Sequence, residues 1–273
     1  MRAATGDLVT RSVDAGFAEE AELRRLADQL FEGARRGSID GTLSSPSNDL
    51  DVALRVQLAV LDRWRAAGER LGGWKSGLTS RAARDMLGKG FRPFGFILES
   101  RILPSGAHLK RSAIGRCKVE AELCVIMKTP LRGAVDPDAA RAAVGAIAPA
   151  FEINELRFPS FPAPFLLLAD NLAQWGAVVG RPCALPPTRL VDTTVELILD
   201  GKVVEVATPG DTMDDPFVAL ARLATTLDRF GLGLEAGQRV ITGAFADVVV
   251  PGACTVTARF GDWGEVAITF DDA

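Results

Sequence analysis

Glu120 and Glu122 stand two residues apart in CKVEAELCVIM, residues 117–127. Apolar and polar positions alternate through this stretch, and Val and Ile recur, which predicts a β-strand. Residues two apart on a strand share a face. Val119, Ala121, Leu123 and Val125 therefore share one face, and the two glutamates share the other with Cys124 and Ile126. Two readings follow. In one, the pair is the polar side of a half-exposed strand, balanced by Lys118 or Arg116. In the other, two carboxylates that repel each other when side by side hold a divalent cation. Hard carboxylate oxygens favour Mg2+, Mn2+ or Ca2+. Glu152 adds to the second reading. It sits in IAPAFEINELRF with Ala150, Phe151 and Ile153 around it, and a charge buried in an apolar run is costly without a partner. Either it completes a Glu120, Glu122, Glu152 cation site, or it faces solvent from an alternating strand.

Lys75 lies in GGWKSGLTS, residues 72–80. A Walker phosphate loop needs Gly directly before the Lys; Trp74 stands there, so that reading fails. What remains is a lysine on a tight backbone after a helix. It is either a solvated surface lysine or an ammonium fixed to face an anionic substrate. In LADNLAQWG, 168–176, Asp170 and Asn171 read as a turn closed by a side-chain-to-backbone bond. Gly243, in GAFADVVVPGACTV, is a place where a ligand can approach the backbone closely.

Other chemistries are excluded by composition. The chain has 273 residues, no tyrosine and one histidine, His108. A zinc site built on several histidines is ruled out, and so is HExxH. Any Ser-His or Cys-His system would run through His108, which the flanking LPSGAHLKRS predicts to be an exposed loop residue. The four cysteines, Cys117, Cys124, Cys183 and Cys254, lack CxxC spacing and read as reduced, buried thiols of a cytoplasmic protein. With a net charge of −4 and only short basic clusters, nothing resembles a nucleic-acid footprint. Apolar runs such as APFLLLA fall far short of the ~18 residues of a membrane span, and the N-terminus shows no secretory h-region. Polar chemistry is left to carboxylates, lysine, arginine, amides and a hard metal.

The elements that must position these residues fall into two textures. Residues 17–36 carry Leu23, Leu26, Leu30 and Phe31 at helical spacing, with glutamates early and Arg35 and Arg36 late, which complements a helix dipole. SIDGTLSSPSN is a turn-rich link, and Asn48 or Asp49 caps a second helix over about 49–68. Short β-rich runs then dominate, at 94–98, 117–127, 147–153, 175–180, 194–199, 203–207, 239–245, 254–260 and 265–270. Asp200-Gly201 marks a hairpin. Helices interrupt at 137–145 and 215–230, the second ending at Gly231. This predicts an α+β chain: a helical N-terminal region, 1–70, and a mostly antiparallel β-rich body, 71–273.

Taken in order, GWKSGLTSRAARDMLG, PFGFIL, KVEAELCVIM, APAFEINELRF and LADNLAQWGAVVG resemble the hydratase and decarboxylase branch of the fumarylacetoacetate hydrolase superfamily. The resemblance covers nearly the whole chain. It implies a helical region on a twisted β-roll, assembled as a homo-oligomer, with Glu120, Glu122 and Glu152 as ligands of Mg2+ or Mn2+ and Lys75 as the motif lysine. It implies a small 2-oxo or 2-hydroxy acid as substrate and hydration of a 2-hydroxy-2,4-dienoate as the reaction, in aromatic-compound catabolism. Decarboxylation of a 2-oxo-3-enedioate is the alternative, hydrolysis of an acylpyruvate C–C bond ranks below both, and a non-catalytic subunit associated with a related hydratase or decarboxylase is a further one. Glu99 and Glu155 are candidates for handling water. The chain departs from the family pattern at Trp74, usually Tyr or Phe, at Ala173, where a serine is expected, around Glu99-Ser100, where an aspartate is common, and in GDTMDDPFVAL.

Overall fold

The computed structural model describes residues 6–79, 85–186 and 189–272, with residues 6–19 as backbone alone. Two helices open the chain, α1 (Gly6–Arg36) and α2 (Leu50–Ala66). Asp49 caps α2, its carboxylate accepting from the N–H groups of Asp51 and Val52, which satisfies donors the helix itself leaves open. The body runs β1 (Leu71–Ser76), β2 (Phe94–Leu98), β3 (Ile102–Pro104), β4 (Ala107–Lys110), β5 (Cys117–Met127), α3 (Pro137–Ala142), β6 (Val144–Glu155), α4 (Pro164–Ala169) and β7 (Gln174–Val179). It continues through β8 (Val195–Leu199), β9 (Lys202–Ala207), α5 (Pro216–Asp228), β10 (Arg239–Val249), β11 (Cys254–Arg259) and β12 (Glu265–Asp271).

The strands form a seven-stranded sheet, β2-β1-β10-β5-β6-β7-β3, and a five-stranded sheet, β4-β12-β11-β8-β9. Pairings β1–β10, β3–β7 and β4–β12 are parallel and the others antiparallel, so the body is mostly antiparallel as expected. Asp200 and Gly201 link β8 to β9 with φ of +47° and +77°, the left-handed pair of a tight hairpin turn.

The larger sheet has two unlike faces. Trp74, Phe96, Leu123, Val125 and Phe151 belong to the main core, which also contains Leu54, Val60 and Leu61 of α2. Buried Gln57 of α2 donates to the carbonyls of Phe94 and Leu168, at 2.9 Å each, and ties the helix to β2 and α4. The opposite face carries a small cluster of Ile97, Cys124, Ala148, Ala150, Ala177 and Ile241. Its residues are mostly small, and the face ends in the acids of β5 and β6.

Several elements differ from expectation, β3 at Ile102–Pro104 among them. Residues 71–76 are a strand, so Lys75 sits in the sheet rather than on a turn after a helix. His108 lies on β4, not in a loop, yet is exposed with its Nδ1 3.1 Å from Asp271. APFLLLA forms α4, a short helix opened by Pro164, a favoured first helical residue. Among the described residues, no helix is long and apolar enough to cross a membrane.

Candidate functional site

Antiparallel pairing of β5 with β6 sets Glu120 directly opposite Glu152 and Glu122 opposite Ala150. All three side chains leave the same face, and carboxylate oxygens, one from each, lie within 4.8 Å of one another. Glu122 and Glu152 are each 2% exposed; Glu120 sits at the edge of the group, half-buried. The face that starts with two glutamates and turns apolar is therefore the floor of a pocket at one end and core at the other.

Neighbouring strands supply the partners. Lys75 reaches the group from β1, where it pairs with Ile241 of β10. Its Nζ forms an ion pair with Glu152 and donates to the Leu172 carbonyl at 3.2 Å. The register of β10 against β5 shifts between Ile241 and Ala244. At that irregularity the Gly243 N–H donates to Glu122 Oε2 at 2.7 Å. Gly243 has φ of +128°, and a Cβ there would lie 1.9 Å from Thr79 Oγ1. Glycine is required on both counts. At the rim, Lys118 bridges Glu120 at 2.8 Å and Asp247 at 2.7 Å.

The electrostatics are out of balance. Burial pushes the Glu122 carboxyl well above its ordinary range, and the charges of Glu152 and Glu120 add to that, opposed by the Gly243 N–H and Lys75. Burial also raises Glu152, against the pull of Lys75. Three acids converge on one buried ammonium. A buried anion cluster of this kind is stable when protonated or when a cation completes it. The donor set is all hard carboxylate oxygen and close enough to share one ion, so it fits a divalent cation of the magnesium or manganese type.

The backbone that holds Lys75 is itself unusual. Asn171, Leu172 and Ala173 are buried and have φ of +56°, +54° and +61°. A run of left-handed non-glycine residues is strained, and such strain persists only where its surroundings over-determine it. Here the Asn171 amide supplies the constraint. Its Oδ1 accepts from the Phe96 N–H at 2.8 Å, and its Nδ2 donates to the Phe96 carbonyl at 2.9 Å. The expected turn at Asp170-Asn171 exists, but its side-chain bonds leave the turn, those of Asn171 running to β2 and those of Asp170 to Arg157.

These groups line a cleft of about 440 Å³. Lys75 and the glutamates lie at its polar end, and Leu78, Leu156, Phe161, Leu167, Leu172 and Phe245 supply apolar wall. Glu205 and Asp247 stand on the rim.

Glu120, Glu122, Glu152 and Lys75 are thus brought together, whereas Glu99 and Glu155 are not. Glu99 is half-exposed in a short turn after β2 and ion-paired with Arg70 at 2.6 Å. Glu155 follows Glu152 by three residues, an odd spacing that turns it to the other side of β6. There it accepts from the Gly115 N–H at 3.0 Å and pairs with buried Arg157 at 3.3 Å. Neither lines the cleft. The sequence reading missed the Leu172 carbonyl and Gly243 N–H as partners. Backbone groups leave no residue-type signal, although both stretches had stood out for their polar and glycine residues.

No protein-family model matches the chain. Individual proteins do. The chain is 31% identical over 232 residues to the 2-keto-4-pentenoate hydratase of Paraburkholderia phymatum, spanning 83% of this chain and 88% of that one. It is 29% identical over 225 residues to a 4-oxalocrotonate decarboxylase of a Pseudomonas species, spanning 82% and 88%. The solved structure of 4-oxalocrotonate decarboxylase from Pseudomonas putida G7, complexed with magnesium and adipate, matches with a TM-score of 0.86 at 26% identity over 92% of this chain and 98% of that chain.

Proposed function

The chain belongs to the 2-keto-4-pentenoate hydratase and 4-oxalocrotonate decarboxylase branch of the fumarylacetoacetate hydrolase superfamily, and from that premise we propose that it adds water to a 2-hydroxy-2,4-dienoate to give a 4-hydroxy-2-oxo acid. The observation that carries this reading is the convergence of Glu120, Glu122 and Glu152 beside Lys75 in the lining of the cleft. We assign those three carboxylates to Mg2+ or Mn2+. When bound, such an ion would supply Lewis-acid polarisation of the substrate's 2-oxo acid group.

The chain's own groups do the rest. Gly243 and Lys75 each hold one carboxylate in place, through an N–H bond to Glu122 and an ion pair to Glu152. The Lys75 ammonium faces the acid end of the substrate, where it neutralises charge developing on the 2-oxygen and holds a proton for transfer. Hydration balances as follows. A proton moves to C5 and gives the 2-oxo-3-enoate, then water places its hydroxyl on C4 and its hydrogen on C3.

The alternative is decarboxylation of a 2-oxo-3-enedioate at the same group, favoured by the close structural likeness to a decarboxylase. In either case the protein works as a cytoplasmic homo-oligomer, open to association with a related hydratase or decarboxylase. The test is ultraviolet decay of freshly generated 2-hydroxypenta-2,4-dienoate with Mg2+, with chelator, and with Glu122→Gln. Mg2+-dependent decay to 4-hydroxy-2-oxopentanoate, lost in the variant, supports hydration. CO2 release from the dioate instead selects the alternative, and full activity in metal-free buffer removes the metal assignment.

A further inference from the structure

We propose that a separate apolar subsite receives the tail of a 2-hydroxydienoate extended beyond C5 by an alkyl or phenyl group; this rests on the reading of the cleft as a 2-oxo acid site. A second cavity of about 180 Å³ adjoins the cleft. The two share Leu156, Phe161, Leu167 and Ala173 as lining, and the annex continues over Phe158 and Pro162. Ala173 stands at the junction, one residue from the Leu172 carbonyl that receives the Lys75 ammonium. A substrate with its acid end at Lys75 therefore has the annex open beside it, past a methyl side chain.

The walls select an apolar group. Phe161 is 75% exposed and Leu156 39% exposed, and large apolar side chains left in water around a concavity mark a binding groove. The charged groups bordering the annex are engaged by the protein. Arg157 donates to Asp170 at 3.0 Å, and Arg116 turns its guanidinium onto the carbonyls of Leu156 and Phe158. A second carboxylate would meet Asp170 beside Arg116 and Arg157 in the annex, and Glu205 and Asp247 on the rim of the cleft, which is why 2-oxoadipate belongs in the test. As to size, an apolar cavity of roughly 150 Å³ holds a benzene ring, so the annex suits a phenyl or butyl group.

The test is calorimetric affinity in Mg2+ for three unreactive acids: 2-oxopentanoate, 2-oxo-5-phenylpentanoate and 2-oxoadipate. The phenyl acid binds roughly 10- to 100-fold tighter than 2-oxopentanoate if the annex accepts it. Ser160 is exposed and borders only the annex; Ser160→Trp blocks it from the surface and brings that ratio to about one. Equal affinities in the native protein, tightest binding of 2-oxoadipate, or a phenyl preference unmoved by Ser160→Trp overturns the subsite. Turnover separates the two claims. Hydration of 2-hydroxypenta-2,4-dienoate without tail preference overturns the subsite alone. A phenyl preference lost in Ser160→Trp, with no dienoate hydrated, overturns the hydratase reading alone.

Discussion

Glu152 and Glu155 lie three residues apart on β6, both almost fully buried, and meet opposite circumstances. On one face, Glu155 shares Arg157 with Asp170. Both Asp170 oxygens accept from Arg157 Nε, at 3.0 and 3.1 Å, and the same guanidinium donates to the Asp170 carbonyl at 2.9 Å. That cluster is closed, with each charge held by fixed hydrogen bonds. On the other face, Glu152 joins Glu122 and Glu120 against one buried lysine, beside a cleft. A buried acid is thus no functional signal by itself. What separates the two sites is whether fixed donors of the protein hold each carboxylate, as Arg157 and the Gly115 N–H do for Glu155 and Asp170, or three acids are left to one buried ammonium.

The contrast can be broken by experiment. The largest effect belongs to the closed cluster: Arg157→Met strands two buried carboxylates and lowers stability by about 3–5 kcal/mol, read from urea unfolding, and Mg2+ does not reverse the loss. Next is pH. Burial, opposed by Arg157, holds the Asp170 carboxyl up to about 6, above the roughly 3.9 of an unfolded aspartate. The folded state keeps a proton that the unfolded state releases between these values. This contribution is present below about pH 4 and lost as pH rises to about 6, worth about 3 kcal/mol. Asp170→Asn removes that slope from the stability profile. At the open cluster, Mg2+ at 100 times its dissociation constant stabilises by about 2.7 kcal/mol, and Glu122→Gln abolishes the gain in a thermal melt. The smallest effect has the opposite sign to the first. In metal-free buffer Glu122→Gln relieves burial and repulsion and raises the melting temperature slightly. A loss there as large as that of Arg157→Met would erase the distinction between the clusters.

Much of this was legible in the sequence, and the failures have physical causes. Alternation in 117–127 placed both glutamates on the correct face, since period two is a property of the strand itself. The hairpin at Asp200-Gly201 and a cap at Asn48 or Asp49 were readable for the same reason, since their chemistry is local, and the structure selects Asp49. β1 was not. LGGWKS has two glycines, which are depleted in strands, and its pairing with β10 lies some 165 residues away. Gly73 is there because a Cβ would fall 1.8 Å from the Arg239 carbonyl oxygen, a constraint that exists only once the chain has folded. Glu155 misled because its neutralising partner, Arg157, folds back from just beyond the strand, and nothing in residue order shows which acid an arginine will choose.

The left-handed turn at Asn171–Ala173 has a consequence for how the chain can change over generations. Three successive residues wound the unusual way act as a screw thread: inserting or deleting one residue would swing the Leu172 carbonyl away from Lys75 and shift Asn171 off Phe96. The Ala173 side chain can be exchanged, but the turn's length cannot drift and its Asn171 amide must stay, so the wall of the cleft is free to diverge at Ala173 while the register that seats the ammonium stays fixed.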